Sequence, residues 1–290
     1  MSYHGLIDEV SVRLGALFSP KYFREGADSA PIEDHLQSTR LVGALDIEQS
    51  GEQELLLDSQ VGELTAAVLN EAWAGSEFPA VIYHHGASEI PYDYGFRHIF
   101  PRVDPHCRGV NLLALRAPWH GSRADFSRGS ARLSRWMAML AASVRIAEET
   151  VTLLRETGVP AIAISGTSLG GFVTNLHHIH FGSADLYFPV LAGLAMDEPY
   201  LDSVYSRSVA PLKKGEVQLI RRRLNFEEGF SSRTHDGVFP LLALHDRLLT
   251  YRRQLASYGG CPAETLNRGH VTGAVAFSAI RDHVLSRLRV

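Results

Sequence analysis

Several features that mark other classes of protein are scarce or missing in this chain. Its 290 residues include only two cysteines, Cys107 and Cys261, which cannot form a disulfide framework and lack metal-site spacing. Its longest apolar runs are too short to span a bilayer. The N-terminus carries acidic residues early and has no basic-then-apolar signal layout. We therefore expect a cytoplasmic protein without stable membrane insertion.

The chain also lacks an excess of charge of one sign. It has 28 Lys and Arg against 32 Asp and Glu, a formal net charge of −4. Nucleic-acid binding depends on clustered positive charge that neutralises phosphates, so we expect no nucleic-acid partner. There is no dinucleotide fingerprint and no P-loop, so no cofactor is expected. The sequence is compatible with a homo-oligomer.

Short apolar runs alternate with helical stretches over most of the sequence. The runs are PAVIYH, NLLALRA, PAIAIS, LYFPVLAGLA and FPLLALH, and continuous runs of this length are typical of strands covered on both faces. The alternation predicts an α/β fold with a mostly parallel sheet and helices on both faces. Upstream, QELLLDSQ and ELTAAVLNEA alternate and predict a hairpin around Val61 and Gly62. A long helix is predicted after Ser130, a candidate N-cap.

Two segments lie outside this alternation. Residues 1–40 are mixed and amphipathic, which predicts an N-terminal helical extension packed on a main domain that covers residues 41–290. Residues 196–232 are rich in charge and have the character of short surface helices inserted between two strands. Long connections in compact domains are usually functional, so we predict a small lid or cap here. The alternative is an ordinary long connection.

One stretch carries a serine at a sharp turn. In PAIAISGTSLGGF, an apolar strand ends near Gly166, and Ser168 follows just before a helical segment. A serine on a strand-to-helix turn is held with its hydroxyl exposed, near the free N–H groups of the helix N-terminus. Gly166 and Gly170 flank it where a Cβ would collide with the neighbouring strand or helix. The stretch therefore predicts a nucleophile elbow.

A serine nucleophile needs a base, and the base needs an orienting group. His270 lies in NRGHVTGAVAF, at a turn before the last helical segment, and Asp246 directly follows FPLLALH. The order Ser168, Asp246, His270 is the one that nucleophile-elbow proteins use. The rival acids are Asp197 and Glu198, which follow the preceding strand. We favour Asp246 because it comes directly after its strand.

From about Gln53 to the C-terminus, the chain resembles the α/β-hydrolase superfamily, serine type, among its esterase, lipase and dienelactone-hydrolase-like members. The motifs that carry the resemblance are YHHGAS, RAPWHGSR, GTSLGG, HD and GH. The resemblance implies an α/β-hydrolase catalytic domain and a Ser168–His270–Asp246 triad that acts through an acyl-enzyme. The implied activity is that of a carboxylesterase-like serine hydrolase (EC 3.1.1) on a small-molecule ester or thioester. The first forty residues and the lid segment depart from the resemblance, so it implies no substrate class.

The resemblance also implies an oxyanion hole. In the superfamily, the residue after the serine and a residue of the first loop donate backbone N–H groups, which here are those of Leu169 and Ala87. Ser88 is an auxiliary donor. Trp119 and His120 follow a strand and are predicted to line the pocket mouth, the alternative being simple turn packing.

Other histidines and basic residues have plainer interpretations. His84 and His85 are predicted to orient the oxyanion loop through hydrogen bonds to backbone. His177 and His180 are three apart on a helix, but no third ligand is evident, so no metal site is predicted. Arg221–Arg223 is interpreted as a solvated face, with a clamp for an anionic substrate as the alternative.

Two other functions remain open from the sequence. An acyltransferase would use the same triad and differ only in what accepts the acyl group. A catalytically idle α/β-hydrolase fold would bind a ligand or a partner instead. The retained triad residues and elbow glycines favour an enzyme.

Overall fold

A computed structural model describes residues 2–288. Nine strands form one sheet in the order β1-β2-β3-β5-β4-β6-β7-β8-β9. The strands are β1 (Arg40–Val42), β2 (Gly51–Asp58), β3 (Leu64–Ala72), β4 (Ala80–His84), β5 (Asn111–Arg116), β6 (Ile162–Thr167), β7 (Leu186–Val190), β8 (Leu241–Ala243) and β9 (Glu264–Leu266).

The sheet has a parallel part and an antiparallel part. Strands β4 to β9 are parallel, whereas β1, β2 and β3 form an antiparallel end, and β3 joins β5. The predicted hairpin is confirmed, with Leu57 opposite Leu64. Since β4 and β6 are buried along their whole length, the continuous apolar runs have the physical origin that the sequence indicated. The carboxyl ends of the parallel strands meet at one edge, where the loops that follow them converge.

Helices cover both faces of the sheet. The long α5 and α6 belong to one apolar cluster, which includes Trp136 and Leu176, and α3 and α12 belong to the other, which includes Phe96 and Val284. This arrangement confirms the predicted α/β class. The helices are α1 (Tyr3–Phe18), α2 (Ile32–Ser38), α3 (Tyr94–Ile99), α4 (Arg123–Gly129), α5 (Leu133–Glu156), α6 (Leu169–His180), α7 (Asp197–Leu201), α8 (Lys214–Leu224), α9 (Glu227–Ser231), α10 (Tyr251–Ser257), α11 (His270–Ala274) and α12 (Phe277–Leu288).

The start of the long helix differs from the prediction. Ser130 is the C-cap of α4, and its N–H donates to the carbonyl of Phe126. The N-cap of α5 is Arg132, which makes no side-chain capping bond. Because α4 occupies the residues before Ser130, this serine closes one helix rather than opening the next.

The two segments that interrupt the alternation are both helical. Helix α1 packs against α11 and against a 3₁₀ turn, Val204–Ser208, within the predicted lid. Farther along, Tyr22 and Tyr205 join the extension to the same turn through their hydroxyls, 2.7 Å apart. The lid segment folds as α7, the 3₁₀ turn, α8 and α9. The division at residue 40 stays a prediction, and residues 1, 289 and 290 of the predicted ranges lie outside the described residues.

Both cysteines are free thiols, Cys107 buried and Cys261 partly exposed. Among residues 2–288, no helix combines the length and the apolar character needed to cross a membrane.

Candidate active site

Ser168 occupies a strained turn between β6 and α6. Its backbone has φ 57° and ψ −109°, a left-handed conformation that non-glycine residues seldom adopt. Its N–H donates to the carbonyl of Val190 on the neighbouring strand, 2.8 Å away. A Cβ on Gly166 would overlap the backbone of Gly170, and a Cβ on Gly170 would overlap the carbonyl oxygen of His84. The glycines are therefore needed for the close approach of α6 to β4 and β6.

Ser168, His270 and Asp246 form one chain of hydrogen bonds. The Nε2 atom of His270 lies 3.0 Å from Oγ of Ser168, and its Nδ1 atom lies 2.6 Å from Oδ2 of Asp246. His270 and Asp246 are buried. With Nδ1–H donating to the carboxylate, the unprotonated Nε2 is free to accept the serine proton.

Asp246 is held in place by the loop that follows β8. Its Oδ1 atom accepts the N–H groups of Leu248 and Leu249, both at 2.8 Å. Oδ1 therefore holds the carboxylate in the loop, and Oδ2 accepts the hydrogen bond from His270.

The rival acids make other contacts. Asp197 accepts hydrogen bonds from Arg221 and Asn225, at 3.1 and 3.3 Å. Glu198 accepts the N–H of Thr250 at 3.2 Å and a side-chain N–H of Gln254 at 3.2 Å. Both carboxylates brace the lid and the loop after β8, and Asp246 is the acid that contacts His270.

A further carboxylate, which sequence reasoning missed, lies behind His270. Asp8 on α1 is fully buried and accepts the backbone N–H of His270 at 2.8 Å. Burial lowers the pKa of His270, but the carboxylates of Asp246 and Asp8 outweigh burial, and the pKa of His270 is held above 6.5. An aspartate in the middle of an N-terminal helix gives no local signal of such a contact.

The predicted oxyanion residues lie beside the serine. Ala87, Ser88 and Leu169 all line the cavity that holds Ser168. Leu169 is the first residue of α6, a position where helix geometry leaves the N–H without an intrahelical acceptor.

Glu89 braces the loop that carries Ala87. Its carboxylate accepts the N–H of Gly86 at 3.1 Å and also the N–H of Gly95. Burial raises the pKa of Glu89 to about 6. Sequence reasoning did not identify Glu89, because it follows YHHGAS as an ordinary loop residue.

Three buried histidines support the same loop from behind. His85 accepts the N–H of Ala117 at Nε2, 3.0 Å away, so its ring proton is on Nδ1, which donates to the carbonyl of Gly86 at 2.8 Å. Nδ1 of His84 lies 3.0 Å from the carbonyl oxygen of His85. Burial and the neighbouring His120 lower the pKa of His85, which favours the neutral ring. The predicted orienting role of His84 and His85 fits these contacts.

Trp119 and His120 do not line the cavity beside Ser168, which corrects the prediction for the pocket mouth. His120 is buried, with Nε2 3.0 Å from the carbonyl oxygen of Ala87. Trp119 lines a separate polar depression with Arg116 and Asp125. The turn after β5 places His120 against the oxyanion loop and Trp119 against Gly129, so His120 acts on the loop and not on the cavity.

The cavity beside Ser168 has a volume of about 310 Å³. Its walls are mainly apolar and aromatic and come from α5, α6, the lid segment and the loop after β8. Representative lining residues are Trp136, Phe172, Met196, Tyr200, Tyr205 and Leu248.

His177 and Arg221, two of the remaining candidate residues, have structural partners. Nε2 of His177 lies 3.0 Å from a carboxylate oxygen of Glu148. Among the described residues, no group of three His, Cys, Asp or Glu side chains is arranged to hold a metal ion. Arg221 pairs with Asp197 and Asp202, so it is engaged within the lid.

Comparisons with known proteins give structural likeness alone. No protein-family model matches the sequence, and no curated protein matches it. Among solved structures, a cold-adapted esterase from an Arctic intertidal metagenomic library is 14% identical, with a TM-score of 0.51 over 86% of this chain and 98% of its own. Acetyl xylan esterase 1 from Thermoanaerobacterium is 10% identical, with a TM-score of 0.51 over 93% of each chain.

A third similar structure, the acylaminoacyl peptidase from Pyrococcus horikoshii, is larger. It is 14% identical, with a TM-score of 0.50 over 82% of this chain and 40% of the peptidase. The similarity to these three structures extends over the architecture described above, a mostly parallel sheet with helices on both faces. This chain has the α/β-hydrolase fold.

Proposed function

We propose that the protein is a serine hydrolase that cleaves a carboxylic ester or thioester. The observation that carries the proposal is the unbroken chain of contacts from Ser168 Oγ to His270 to Asp246, at 3.0 and 2.6 Å, beside an apolar cavity. The strained backbone of Ser168 adds support, because strain of this kind persists where function requires it.

The acylation step follows from this geometry. Ser168 Oγ attacks the carbonyl carbon of the substrate while Nε2 of His270 takes the hydroxyl proton. Asp246 orients the imidazole and stabilises the imidazolium that forms. The N–H groups of Leu169 and Ala87 stabilise the oxyanion, and such donors contribute about 2.7–4 kcal/mol each in comparable sites.

Acylation ends when the tetrahedral intermediate collapses: the bond to the leaving oxygen or sulfur breaks, and His270 protonates the departing alcohol or thiol. In deacylation, water attacks the carbonyl carbon of the acyl-enzyme while His270 takes a proton from it. The second tetrahedral intermediate then collapses, the bond between the acyl carbon and Ser168 Oγ breaks, His270 returns the proton to Oγ, and the acid product leaves. No cofactor takes part in these steps.

The cavity indicates an apolar substrate. Its volume of about 310 Å³ is at the lower end of the range for small-molecule pockets. The side chains of Trp136, Phe172 and Tyr200 favour an apolar or aromatic group over a charged one.

The proposal is tested by labelling with a fluorophosphonate probe, which forms a bond to an activated serine oxygen and releases fluoride. We expect a single adduct on Ser168 in peptide mass spectrometry and none in the Ser168→Ala variant. A series of aryl esters of increasing chain length should then be hydrolysed by the wild type only. Folded wild-type protein that neither labels nor cleaves any of these esters would overturn the proposal and favour a binding role.

Acyl transfer is a separate outcome of the same assay. With the esters that are cleaved, adding alcohols or amines shows whether the acyl group passes to water or to another acceptor. Release of the free acid at a rate that added acceptors do not reduce would identify a hydrolase.

A further inference from the structure

A single carboxylate from α1 connects the two loops that carry the histidine and the acid of the triad. Oδ2 of Asp8 accepts the N–H of His270 at 2.8 Å and that of Arg247 at 3.1 Å. Its Oδ1 atom accepts the N–H of Val271 at 3.0 Å. Asp8 is 0% exposed, so these three bonds are made away from solvent.

Asp8 can affect the triad because the N–H groups that it accepts belong to the triad residue His270 and to Arg247, a neighbour of Asp246. Asp8 binds His270 through the backbone of this residue, and it binds the acid loop at Arg247, which directly follows Asp246. A shift of either loop would lengthen a bond to a buried carboxylate, and leaving a buried charge without its hydrogen-bond partners is unfavourable. The carboxylate therefore fixes the backbone of the two loops relative to each other.

We propose that Asp8 is a positioning residue for the Ser168–His270–Asp246 triad, and that α1 is part of the machinery of the site. The proposal deepens the proposed function and rests on it. Asp8 does not touch a substrate. It acts through the backbone of His270 and of the residue that follows Asp246.

The rest of α1 fits closely against the same two loops. A Cβ on Gly269 would lie 2.8 Å from Oδ2 of Asp8 and 2.8 Å from the carbonyl oxygen of His4. Nδ1 of His4 lies 3.0 Å from Oγ1 of Thr272, and Glu9 pairs with Arg247 at 3.1 Å. Helix α1 is thus seated by contacts on both sides of Asp8.

The charges around His270 allow a second test of the proposal, through the pH dependence of activity. Asp246 faces the ring from the loop after β8 and Asp8 lies behind its backbone on α1, whereas the Arg247 side chain is engaged by Glu9. His4 of α1 stacks on His245, with ring centroids 6.1 Å apart. Both carboxylates raise the pKa of His270. Loss of the Asp8 charge should therefore lower this pKa, and activity should persist to lower pH, since the base must be neutral to act.

The main test compares Asp8→Asn with Asp28→Asn, the same change at an exposed aspartate elsewhere in residues 1–40. Asparagine keeps the size of the side chain but turns one acceptor into a donor that faces backbone N–H groups. We expect kcat to fall about tenfold or more, as for a small misplacement of reacting groups. KM should stay within about twofold, and the acidic limb of kcat/KM should move to lower pH. Asp28→Asn should leave all three unchanged.

A second variant separates geometry from charge and serves if Asp8→Asn does not fold. Gly269→Ala keeps every charge but pushes a methyl group against Asp8 and His4. We expect kcat to fall while the acidic limb stays at its wild-type pH. Wild-type kcat and an unmoved pH profile in folded Asp8→Asn, or wild-type kcat in Gly269→Ala, would overturn the proposal.

An NMR titration of the His270 imidazole makes the result independent of hydrolysis. The signal is assigned by its loss in His270→Gln. We expect a lower pKa for His270 in Asp8→Asn than in the wild type, together with faster hydrogen exchange of the His270 and Val271 amides. If the wild type labels with the fluorophosphonate but Asp8→Asn changes none of these quantities, the positioning role proposed for Asp8 is wrong and the proposed hydrolase stands. If the wild type does not label, the proposed hydrolase fails, and the titration still decides whether Asp8 acts on His270.

Discussion

The nucleophile half of the site and the base half are built in different ways. Ser168 and its flanking glycines come from one short stretch at the end of β6, and their conformation depends on the absence of side chains at Gly166 and Gly170. The base half joins segments that are 239 and 262 residues apart, through the carboxylate of Asp8, which accepts backbone N–H groups from both. The first half is local and depends on close packing, whereas the second is assembled from distant parts and depends on hydrogen bonds.

The largest expected effect concerns the acid of the base half. Asp246→Asn should lower kcat by about 10⁴-fold, because an amide favours the wrong tautomer of His270. The matched change Asp197→Asn removes a carboxylate that pairs with Arg221 instead, and we expect kcat within about threefold of the wild type. Ester hydrolysis by the two purified variants checks both values. Equal losses in the two variants would contradict the assignment of Asp246.

Packing in the nucleophile half is probed by adding one methyl group. Gly170→Ala would force a Cβ into the carbonyl oxygen of His84, and we expect a loss of about 3 kcal/mol or more in the free energy of unfolding. Gly215→Ala, on the exposed side of α8 where a Cβ would contact nothing within 4 Å, should be neutral or stabilising by up to about 1 kcal/mol. Denaturant unfolding measures both. A Gly170→Ala protein as stable as the Gly215→Ala protein would show that the elbow is not closely packed.

The smallest expected effect concerns Glu89, whose carboxylate accepts backbone N–H groups in the loop after β4, beside the nucleophile half. Burial raises its pKa to about 6 from 4.5, so the folded state binds the proton more tightly than the unfolded state. The contribution of Glu89 to stability is therefore greatest below about pH 4.5 and falls by about 2 kcal/mol as the pH rises from 4.5 through 6. Glu89→Gln should remove this pH dependence and lower kcat by about threefold to tenfold.

Unfolding free energies of the wild type and of Glu89→Gln between pH 4.5 and 7 give the comparison. Parallel curves for the two proteins would mean that Glu89 does not have a raised pKa. In that case the oxyanion loop is held mainly by the histidines behind it, through the contacts of His85 with Gly86 and of His120 with Ala87.

The contrast between the two halves also explains what could be predicted from sequence. The apolar runs indicated the buried parallel strands because burial on both faces requires them, and the elbow was visible because its residues are contiguous. The residues Ser168, Asp246 and His270 were selected by order and by strand ends, and the structure brings them together. Their catalytic roles stay predictions until the labelling is done.

What the sequence missed has a common cause. Asp8 and Glu89 act by accepting backbone N–H groups, which every residue except proline has, so no side-chain pattern records the contact. Trp119 and His120 were assigned to the pocket because they follow a strand end. The direction in which the turn after β5 carries them depends on the packing behind the oxyanion loop, where His120 meets Ala87.

The distance along the chain between Asp8 and His270 has a consequence for folding. The contact closes a loop of about 262 residues, and such closure is entropically unfavourable until the sheet between them has formed. We expect a refolding molecule to recover its helical and strand content before it recovers activity. Under mild denaturant, α1 should detach from the loops that carry His270 and Asp246 before the sheet unfolds, because parts of a protein with few contacts open in subglobal steps. Catalysis would then report the last stage of folding, in which α1 docks against the loops that carry His270 and Asp246.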